Sequence, residues 1–492
     1  MYHKVYRRLS KISNNRDWNN VFFSLLSYLI MPIAMIISTP LLIKNLGIGD
    51  YGQWVLVNSI IAVLSIANFG LGNAVIKFGA QYIEKKQIDK MYKMVNNIFA
   101  ISLIIGVLIL VLALIVTLSV KLKEFNYYYI AIGLIVGVRI VMGVLAAVIM
   151  SCQRYDISNK INIFINLLTV ISTTTLAILT SNLNILLLCL VFTSLIGCLL
   201  FNIKIKKILP GMKLKFNIEL NVLKEVLSFS LMAWVQVIVS TLYNQSDKLL
   251  INILLGSRAL GVYSACFQLA GKLHEIPVAV SGFLFPKFSA LFEKQDRIDL
   301  INLYVKSMII LLLFISSLFF PLFLFAKQIL TIWLGTEFSE QNINILRTLM
   351  LSILSGTFFI IPFYLLNSIG AEKINTIFNG ILSVVSLLSS IILIHYFGLM
   401  GAVYGRLMGL PLIIIMIIYV ENKYLNIKKF HKLFLCLLLN QLFIMVPIGY
   451  CMTIEHSLDL AKLFTYMLII VLIHGGYNIV SYKVFMKNIT KI

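Results

Sequence analysis

The chain has 492 residues, of which 60% are hydrophobic and only 12% are charged, and its mean hydropathy is +0.96. Soluble domains are about 45–50% apolar and about 25% charged, so this composition excludes a soluble globular protein and indicates a polytopic membrane protein. The net charge of +22 is typical of Lys- and Arg-rich cytoplasmic loops rather than of nucleic-acid binding. The six scattered cysteines form no CxxC motif or His/Cys cluster, so neither a zinc site nor a disulfide framework is predicted.

Fourteen stretches of the sequence have the length and hydrophobicity of a transmembrane helix, which needs about 20 apolar residues to cross ~30 Å of hydrocarbon. The predicted spans are 20–43, 54–80, 95–120, 127–151, 161–181, 184–203, 226–255, 260–285, 303–326, 346–369, 374–397, 399–420, 433–453 and 460–482. No connecting loop is long enough to hold a folded catalytic domain. Function is therefore expected within the helical bundle.

The basic residues predict the orientation of these spans. With the N-terminus in the cytoplasm, 29 of the 41 Lys and Arg residues fall on the cytoplasmic side and seven, including Arg347, fall on the outer side. This asymmetry follows the positive-inside rule. An even number of spans then places both termini in the cytoplasm.

Two glycine patterns are relevant to helix packing. The pattern G-x4-G-x-aromatic begins at Gly47 after the first span and again at Gly256 after the seventh. The two copies predict a parallel internal repeat, although glycines and aromatic residues are also common at membrane turns. On span twelve, Gly401, Gly405 and Gly409 form overlapping G-x-x-x-G units, which favour close packing of helices.

Five basic residues remain inside the predicted spans. They are Lys77, Arg139, Lys248, Lys272 and Arg406. A charge in the bilayer costs at least ~2.5–3.5 kcal/mol on insertion scales, so it usually lines a cavity or pairs with another group. Arg139 and Lys272 lie near the middle of their spans, whereas Lys77 lies near the cytoplasmic end of its span, where snorkelling is the favoured interpretation. We interpret Arg139, Lys272, Arg406 and Lys77 as candidate substrate-binding cations.

Polar residues accompany these cations at helical spacing and predict a hydrated cavity, with helix–helix hydrogen bonding as the alternative. The candidate lining residues are Gln236, Ser240, Asn244, Lys248, Gln268, Asn58 and Asn166, with Ser65 and Gly72 on the face of Asn58. Asp247 and Glu275 are the only carboxylates placed within spans, and His274 adjoins the second. The surplus of basic residues suits an anion as dense as a phosphate or diphosphate.

Several short motifs resemble those of a transporter family. They are Asp247-Lys248-Leu249-Leu250-Ile251, Gly256-x4-Gly261-Val262-Tyr263-Ser264, Phe285-Pro286-x-Phe288-Ser289 and Phe69-Gly70-Leu71-Gly72. Together they resemble the polysaccharide-exporter branch of the multidrug/oligosaccharidyl-lipid/polysaccharide superfamily, and within it the O-antigen flippases of the Wzx type.

The resemblance implies an all-α protein with two pseudo-symmetric six-helix bundles around a central cavity and a C-terminal helix pair. The corresponding ranges are 1–210, 211–425 and 426–492. It implies a flippase, rather than an enzyme, that translocates an undecaprenyl-diphosphate-linked oligosaccharide across the bacterial plasma membrane. The expected partners are this lipid-linked substrate, membrane lipids, a polysaccharide polymerase and a chain-length regulator, and no nucleic acid. The alternatives are a multidrug-type cation antiporter and a membrane-embedded polysaccharide polymerase or ligase.

Coupling to an ion gradient is the last expectation, because the sequence carries no sign of an ATP site and no cofactor is expected. Asp247 and Glu275, with His274, are the candidates for exchanging H⁺ or binding Na⁺. The alternative is that Asp247 with Lys248, and Lys272 with Glu275, are neutralising pairs. No catalytic residue and no metal ligand is predicted.

Overall fold

A computed structural model describes residues 16–119, 126–217, 219–427 and 460–489. Within these ranges the regular secondary structure is helical throughout, which confirms the predicted all-α fold. The predicted span at 433–453, together with Cys436 and Cys451, lies outside the described residues.

Ten helices in the described ranges are long and apolar enough to cross a membrane, so the chain is a multi-span membrane protein. These spans are Ile48–Asn68, Ile88–Ser119, Tyr128–Ser151, Tyr155–Thr180, Leu183–Ile208, Val237–Ser281, Arg297–Leu324, Thr336–Ser368, Glu372–Phe397 and Leu399–Leu425. A shorter apolar helix covers Ile30–Leu46. The total of fourteen spans stays a prediction.

The chain divides into two compact units, Met1–Gly261 and Val262–Ile492, with the division inside one long helix. The predicted bundle boundary at residue 210 stays a prediction. The helices that begin in the first unit are α1 Arg16–Leu46, α2 Ile48–Leu64, α3 Leu71–Glu84, α4 Ile88–Ser119, α5 Asn126–Ser151, α6 Tyr155–Thr180, α7 Leu183–Ile208 and α8 Leu220–Ser281.

Helix α5 is the centre of the first unit and packs against α3, α4 and α7. Its contact with α4 is close because two glycines face each other: a β carbon at Gly106 would lie 3.1 Å from the Cα of Gly137. Small residues allow such approach in membrane bundles, where packing rather than hydrophobic burial holds helices together.

The second predicted span, 54–80, is not one helix, and this part of the prediction is wrong. Helix α2 ends in a 3₁₀ turn at Ser65–Asn68, and both Phe69 and Gly70 adopt left-handed backbone angles before α3 begins. A break at membrane depth exposes carbonyl groups that need partners. The indole Nε1 of Trp234 on α8 donates to the Ile66 carbonyl at 2.6 Å, and its ring lies 4.8 Å from that of Phe69.

The two predicted glycine turns have the same backbone conformation. Gly47 has φ 82° and ψ 161°, and Gly256, where α8 is broken, has φ 82° and ψ 173°. They also pack reciprocally, because a β carbon at Gly52 would overlap the carbonyl of Ser257, while one at Gly261 would overlap the carbonyl of Ile48. This correspondence supports the predicted repeat.

Helices of the second unit follow the end of α8. They are α9 Leu284–Glu293, α10 Arg297–Leu324, α11 Ala326–Leu334, α12 Thr336–Thr357, α13 Ile360–Ser368, α14 Glu372–Phe397, α15 Leu399–Leu407, α16 Leu410–Val420 and α17 Leu460–Ile489, with a π-helical turn at Glu421–Leu425. Helices α14 and α15 cross closely, since a β carbon at Gly401 or Gly405 would overlap atoms of Leu393 or Ser390. The packing role of this glycine series is as predicted.

The last described helix is held to α10 by polar contacts. His474 Nε2 lies 3.0 Å from Ser316 Oγ, and Asn478 Nδ2 donates to the Leu313 carbonyl at 3.0 Å and to Ser317 Oγ at 2.8 Å. His474, Asn478 and Ser316 are buried, and hydrogen bonds between helices contribute to their association in a membrane. Helix α17 is therefore an integral part of the second unit.

Candidate functional site

Arg139 lines a cavity of about 120 Å³ in the first unit. It lies twelve residues before the end of α5 at Ser151, which is about 18 Å at 1.5 Å per residue. The other lining residues come from the broken second span and from α5: Ser65, Asn68, Leu71, Gly72, Ile140, Gly143 and Val144. The structure thus brings the predicted central cation together with Ser65 and Gly72 of the predicted polar face.

The break between α2 and α3 shapes one wall of this cavity. Asn68 closes the 3₁₀ turn by accepting a hydrogen bond on Oδ1 from the Gly70 amide at 2.9 Å. On the opposite wall, a β carbon at Gly143 would meet no atom within 4 Å, so the space one turn after Arg139 is open. Asn68 was not a candidate from sequence, because a continuous helix over 54–80 hides the turn that brings it to the cavity.

Arg139 carries a charge that no carboxylate neutralises in the part of the chain that the structure describes. Arg154, in the connection after α5, shows the contrasting case. Its Nε and Nη2 donate to the two carboxylate oxygens of Asp156 at 2.8 and 3.0 Å. This hydrogen bonding raises the pKa of Arg154. The planar fork of Arg139 is available for a bidentate contact of the same kind with an anionic ligand.

The predicted cation Lys272 is paired in the second unit. Its Nζ lies 2.6 Å from Glu275 Oε2, and the two side chains are 12% and 51% exposed. The pair is the i, i+3 contact of one helix face. This contact is the one expected if Lys272 and Glu275 neutralise each other, which is the alternative that the sequence leaves open. A coupling role for Glu275 stays a prediction.

Arg406 and His274 are brought together in the same unit. The guanidinium of Arg406 lies 4.9 Å from the ring centroid of Phe267, within cation–π distance. His274 Nδ1 lies 3.3 Å from Thr357 Oγ1, and its ring interacts electrostatically with Arg406. The two residues form a small polar group, whose binding role stays a prediction.

Lys77 lies on α3, seven residues before the helix ends at Glu84. Its side chain is exposed, with Nζ 5.4 Å from the Phe78 ring centroid, and it is not among the residues that line the Arg139 cavity. This position fits snorkelling to the membrane surface, the interpretation that the sequence favours.

The predicted pair Asp247 and Lys248 lies on α8. The Asp247 residue is only 7% exposed, and its Oδ1 accepts a hydrogen bond from the Lys248 amide at 3.0 Å. Lys248 Nζ donates to Gln245 Oε1 at 3.3 Å. A buried carboxylate is therefore present at the predicted coupling position in the first unit.

Three predicted lining residues donate a hydrogen bond to a backbone carbonyl one turn earlier in their own helices. These bonds run from Asn58 to Trp54, from Ser240 to Val237 and from Asn244 to Ser240, at 2.8, 3.0 and 2.8 Å. Their remaining acceptor atoms can still contact water or a ligand. Asn166 is exposed and Gln268 is half-buried, whereas the side chain of Gln236 lies outside the described part.

From the sequence, Glu421 and Arg347 are expected outside the membrane interior, but both lie within spans of the structure. The carboxyl group of Glu421 is completely buried and accepts a hydrogen bond from the Tyr304 hydroxyl at 3.3 Å. The expectation that only Asp247 and Glu275 lie within spans is therefore wrong, because the span extends to Leu425. Arg347, counted on the outer side at the edge of the predicted span 346–369, lies eleven residues inside the span Thr336–Ser368. In both cases the helix continues beyond the strongly apolar stretch from which a span is predicted.

Comparisons with known proteins identify the family. The family model of polysaccharide biosynthesis proteins matches residues 41–343. A provisionally named O-antigen transporter of Shigella flexneri is 24% identical over 34% of this chain and 39% of its own length. The uncharacterized membrane protein EpsK of Bacillus subtilis (strain 168) is 23% identical over 65% of this chain and 66% of its own length. The chain thus spans less than two thirds of either relative.

Among solved structures, an inward closed conformation of the lipid II flippase MurJ is similar in fold, with a TM-score of 0.72 and 16% identity. The similarity covers 93% of this chain and 98% of the MurJ chain. The predicted resemblance to polysaccharide exporters and the transporter-like helical fold are confirmed. The chain is a membrane protein of the polysaccharide biosynthesis family.

Proposed function

We propose that this protein is a flippase for a lipid-linked oligosaccharide, with an undecaprenyl diphosphate carrier, in the bacterial plasma membrane. The observation that carries the proposal is the Arg139 cavity: a cation near mid-span, in an open space, with no ion-paired carboxylate in the described part of the chain. The family match and the named relatives agree with this class of substrate.

The physical basis is the cost of an uncompensated charge in a membrane. A guanidinium at this depth destabilises the protein by several kcal/mol unless it is hydrated or paired. A diphosphate that enters the cavity provides the missing counter-charge and accepts bidentate hydrogen bonds. The prenyl tail can remain in lipid, so only the polar head group has to cross. An organic cation would be repelled by the same residue, which disfavours the cation-antiporter alternative.

The test replaces Arg139 with Gln in a strain that lacks its own copy of the protein. Surface display of the glycan should fall by about 10- to 150-fold, since a charged hydrogen-bonding partner contributes ~1.5–3 kcal/mol. Arg139→Lys keeps the charge but loses the planar fork, so we expect partial export. Arg297→Gln is the matched control, because it removes an exposed arginine at the start of α10.

Protein abundance in the membrane must be measured in parallel. Removing a charge from a span makes insertion cheaper, so Arg139→Gln should accumulate normally. Wild-type glycan display in Arg139→Gln at matched abundance would overturn the proposal. Uptake of an organic cation that depends on the protein would favour the antiporter instead.

Alternating access coupled to an H⁺ or Na⁺ gradient completes the proposed mechanism, with both termini in the cytoplasm. Of the two candidate carboxylates, Asp247 is buried and Glu275 is half-exposed and ion-paired. We therefore assign coupling to Asp247. A polysaccharide polymerase and a chain-length regulator are the proposed partners, because each acts on a glycan after it has crossed the membrane.

A further inference from the structure

Arg347 is a half-buried cation that the proposed mechanism does not use. It lies on α12, eleven residues after the helix begins at Thr336. Its guanidinium carbon is 5.7 Å from the ring centroid of Phe323 on α10, within cation–π distance. Its Nε is buried and has no hydrogen-bond partner.

The neighbouring polar residues leave this cation without a counter-charge. The ion pairs in the described part of the chain do not include Arg347. Of the two acids on its own helix, Glu340 lies 3.7 Å from Lys327 and Glu337 lies ten residues before Arg347. On α11, which packs against α12, the Oε1 of Gln328 is also buried without a hydrogen-bond partner. Unsatisfied buried polar atoms are unfavourable, and a ligand with anionic oxygens would compensate the guanidinium of Arg347.

The position of Arg347 along its span indicates on which side of the membrane its guanidinium lies. Arg347 lies about one third of the way along the 33-residue span Thr336–Ser368, and the positive-inside pattern places the start of this span outside. Arg347 thus lies toward the outer boundary of the bilayer. Phe323 agrees, because it lies at the end of α10 opposite to the cytoplasmic Arg297.

We infer that Arg347 and Phe323 form a second anion site, which holds the diphosphate of the lipid-linked glycan on the outer side after translocation. The inference rests on the proposed function and adds a residue for product binding. The guanidinium binds the diphosphate oxygens, and the Phe323 ring lies beside it at cation–π distance.

The test measures how many molecules of farnesyl diphosphate bind to each full-length chain in nanodiscs of phosphatidylcholine, by isothermal titration calorimetry. The wild type should bind two, one at Arg139 and one at Arg347. Arg347→Gln and Arg139→Gln should each weaken one of the two sites by about 10- to 100-fold. Arg347→Lys should retain the site with weaker binding. Lys327→Gln, which removes an exposed lysine near the same helices, should keep both sites.

Each outcome separates this inference from the proposed function. An unchanged titration for Arg347→Gln, with one site lost in Arg139→Gln, would overturn only the outer site. The reverse result would overturn the role of Arg139 and support that of Arg347. Absence of binding to the wild type would overturn both. If nanodiscs with phosphatidylglycerol abolish binding at the Arg347 site, that site takes any lipid phosphate and is not selective for the diphosphate product.

Discussion

The two central cations of the sequence, Arg139 and Lys272, have opposite environments. Arg139 lines a cavity in the first unit and forms no ion pair with a carboxylate in the described ranges, whereas Lys272 in the second unit is 2.6 Å from Glu275. Both charges are costly in a membrane. Lys272 reduces its cost with a carboxylate three residues away, and Arg139 has to obtain compensation from water or a ligand. Two charges at similar positions in their spans therefore differ in whether the protein supplies a counter-charge.

The largest effect is expected when Arg139 is given a counter-charge as well. Ser65 lines the same cavity, so Ser65→Asp should neutralise Arg139 and repel an anionic substrate. Like charges placed together cost several kcal/mol, and we expect glycan export to fall about 100-fold. Ser65→Asn has nearly the same shape without the charge and should reduce export far less. Export of surface glycan at matched abundance is the measurement, and equal export by both variants would contradict a role for the cavity charge.

The carboxylates of the two units allow a second comparison. Asp247→Asn should remove the stimulation of transport by an imposed pH or Na⁺ gradient in vesicles, because exchange of an ion at a buried carboxylate changes the local charge. Glu275→Gln should keep that stimulation, since this side chain is 51% exposed and ion-paired. If Glu275→Gln alone becomes insensitive to the gradient, coupling belongs to the second unit. If both variants keep wild-type dependence, neither carboxylate couples transport to the ion.

The smallest effect is expected at Lys272. A partly exposed ion pair contributes about 0.2–1 kcal/mol, so Lys272→Gln should lower transport by no more than about fivefold. The double variant Lys272→Gln/Glu275→Gln should recover most of the loss, because no unpaired charge remains. A loss as severe as that of Arg139→Gln, without recovery in the double variant, would show that Lys272 binds substrate directly.

Much of the architecture was predictable because membrane insertion leaves a strong signal in composition. Long apolar stretches predicted all-helical spans, and the glycines at 401, 405 and 409 predicted a close helix crossing. Prediction of the site was partial. Arg139, Ser65 and Gly72 were identified from their types and spacing. Asn68 was not, because its position depends on the break after Ile66, and that break is stabilised by Trp234, which is distant in sequence.

The sequence by itself determined that this protein spans a membrane, which family it resembles and that Arg139 and Lys272 lie within its spans, since hydrophobicity and charge act residue by residue. The tertiary structure decided which of these charges are compensated. Lys272 meets its carboxylate within one helix, but the isolation of Arg139, the hydrogen bond between Glu421 and Tyr304 and the stacking of Arg347 on Phe323 depend on contacts between helices. Those contacts arise only when the helices pack, and they distinguish a structural charge from one that can bind a ligand.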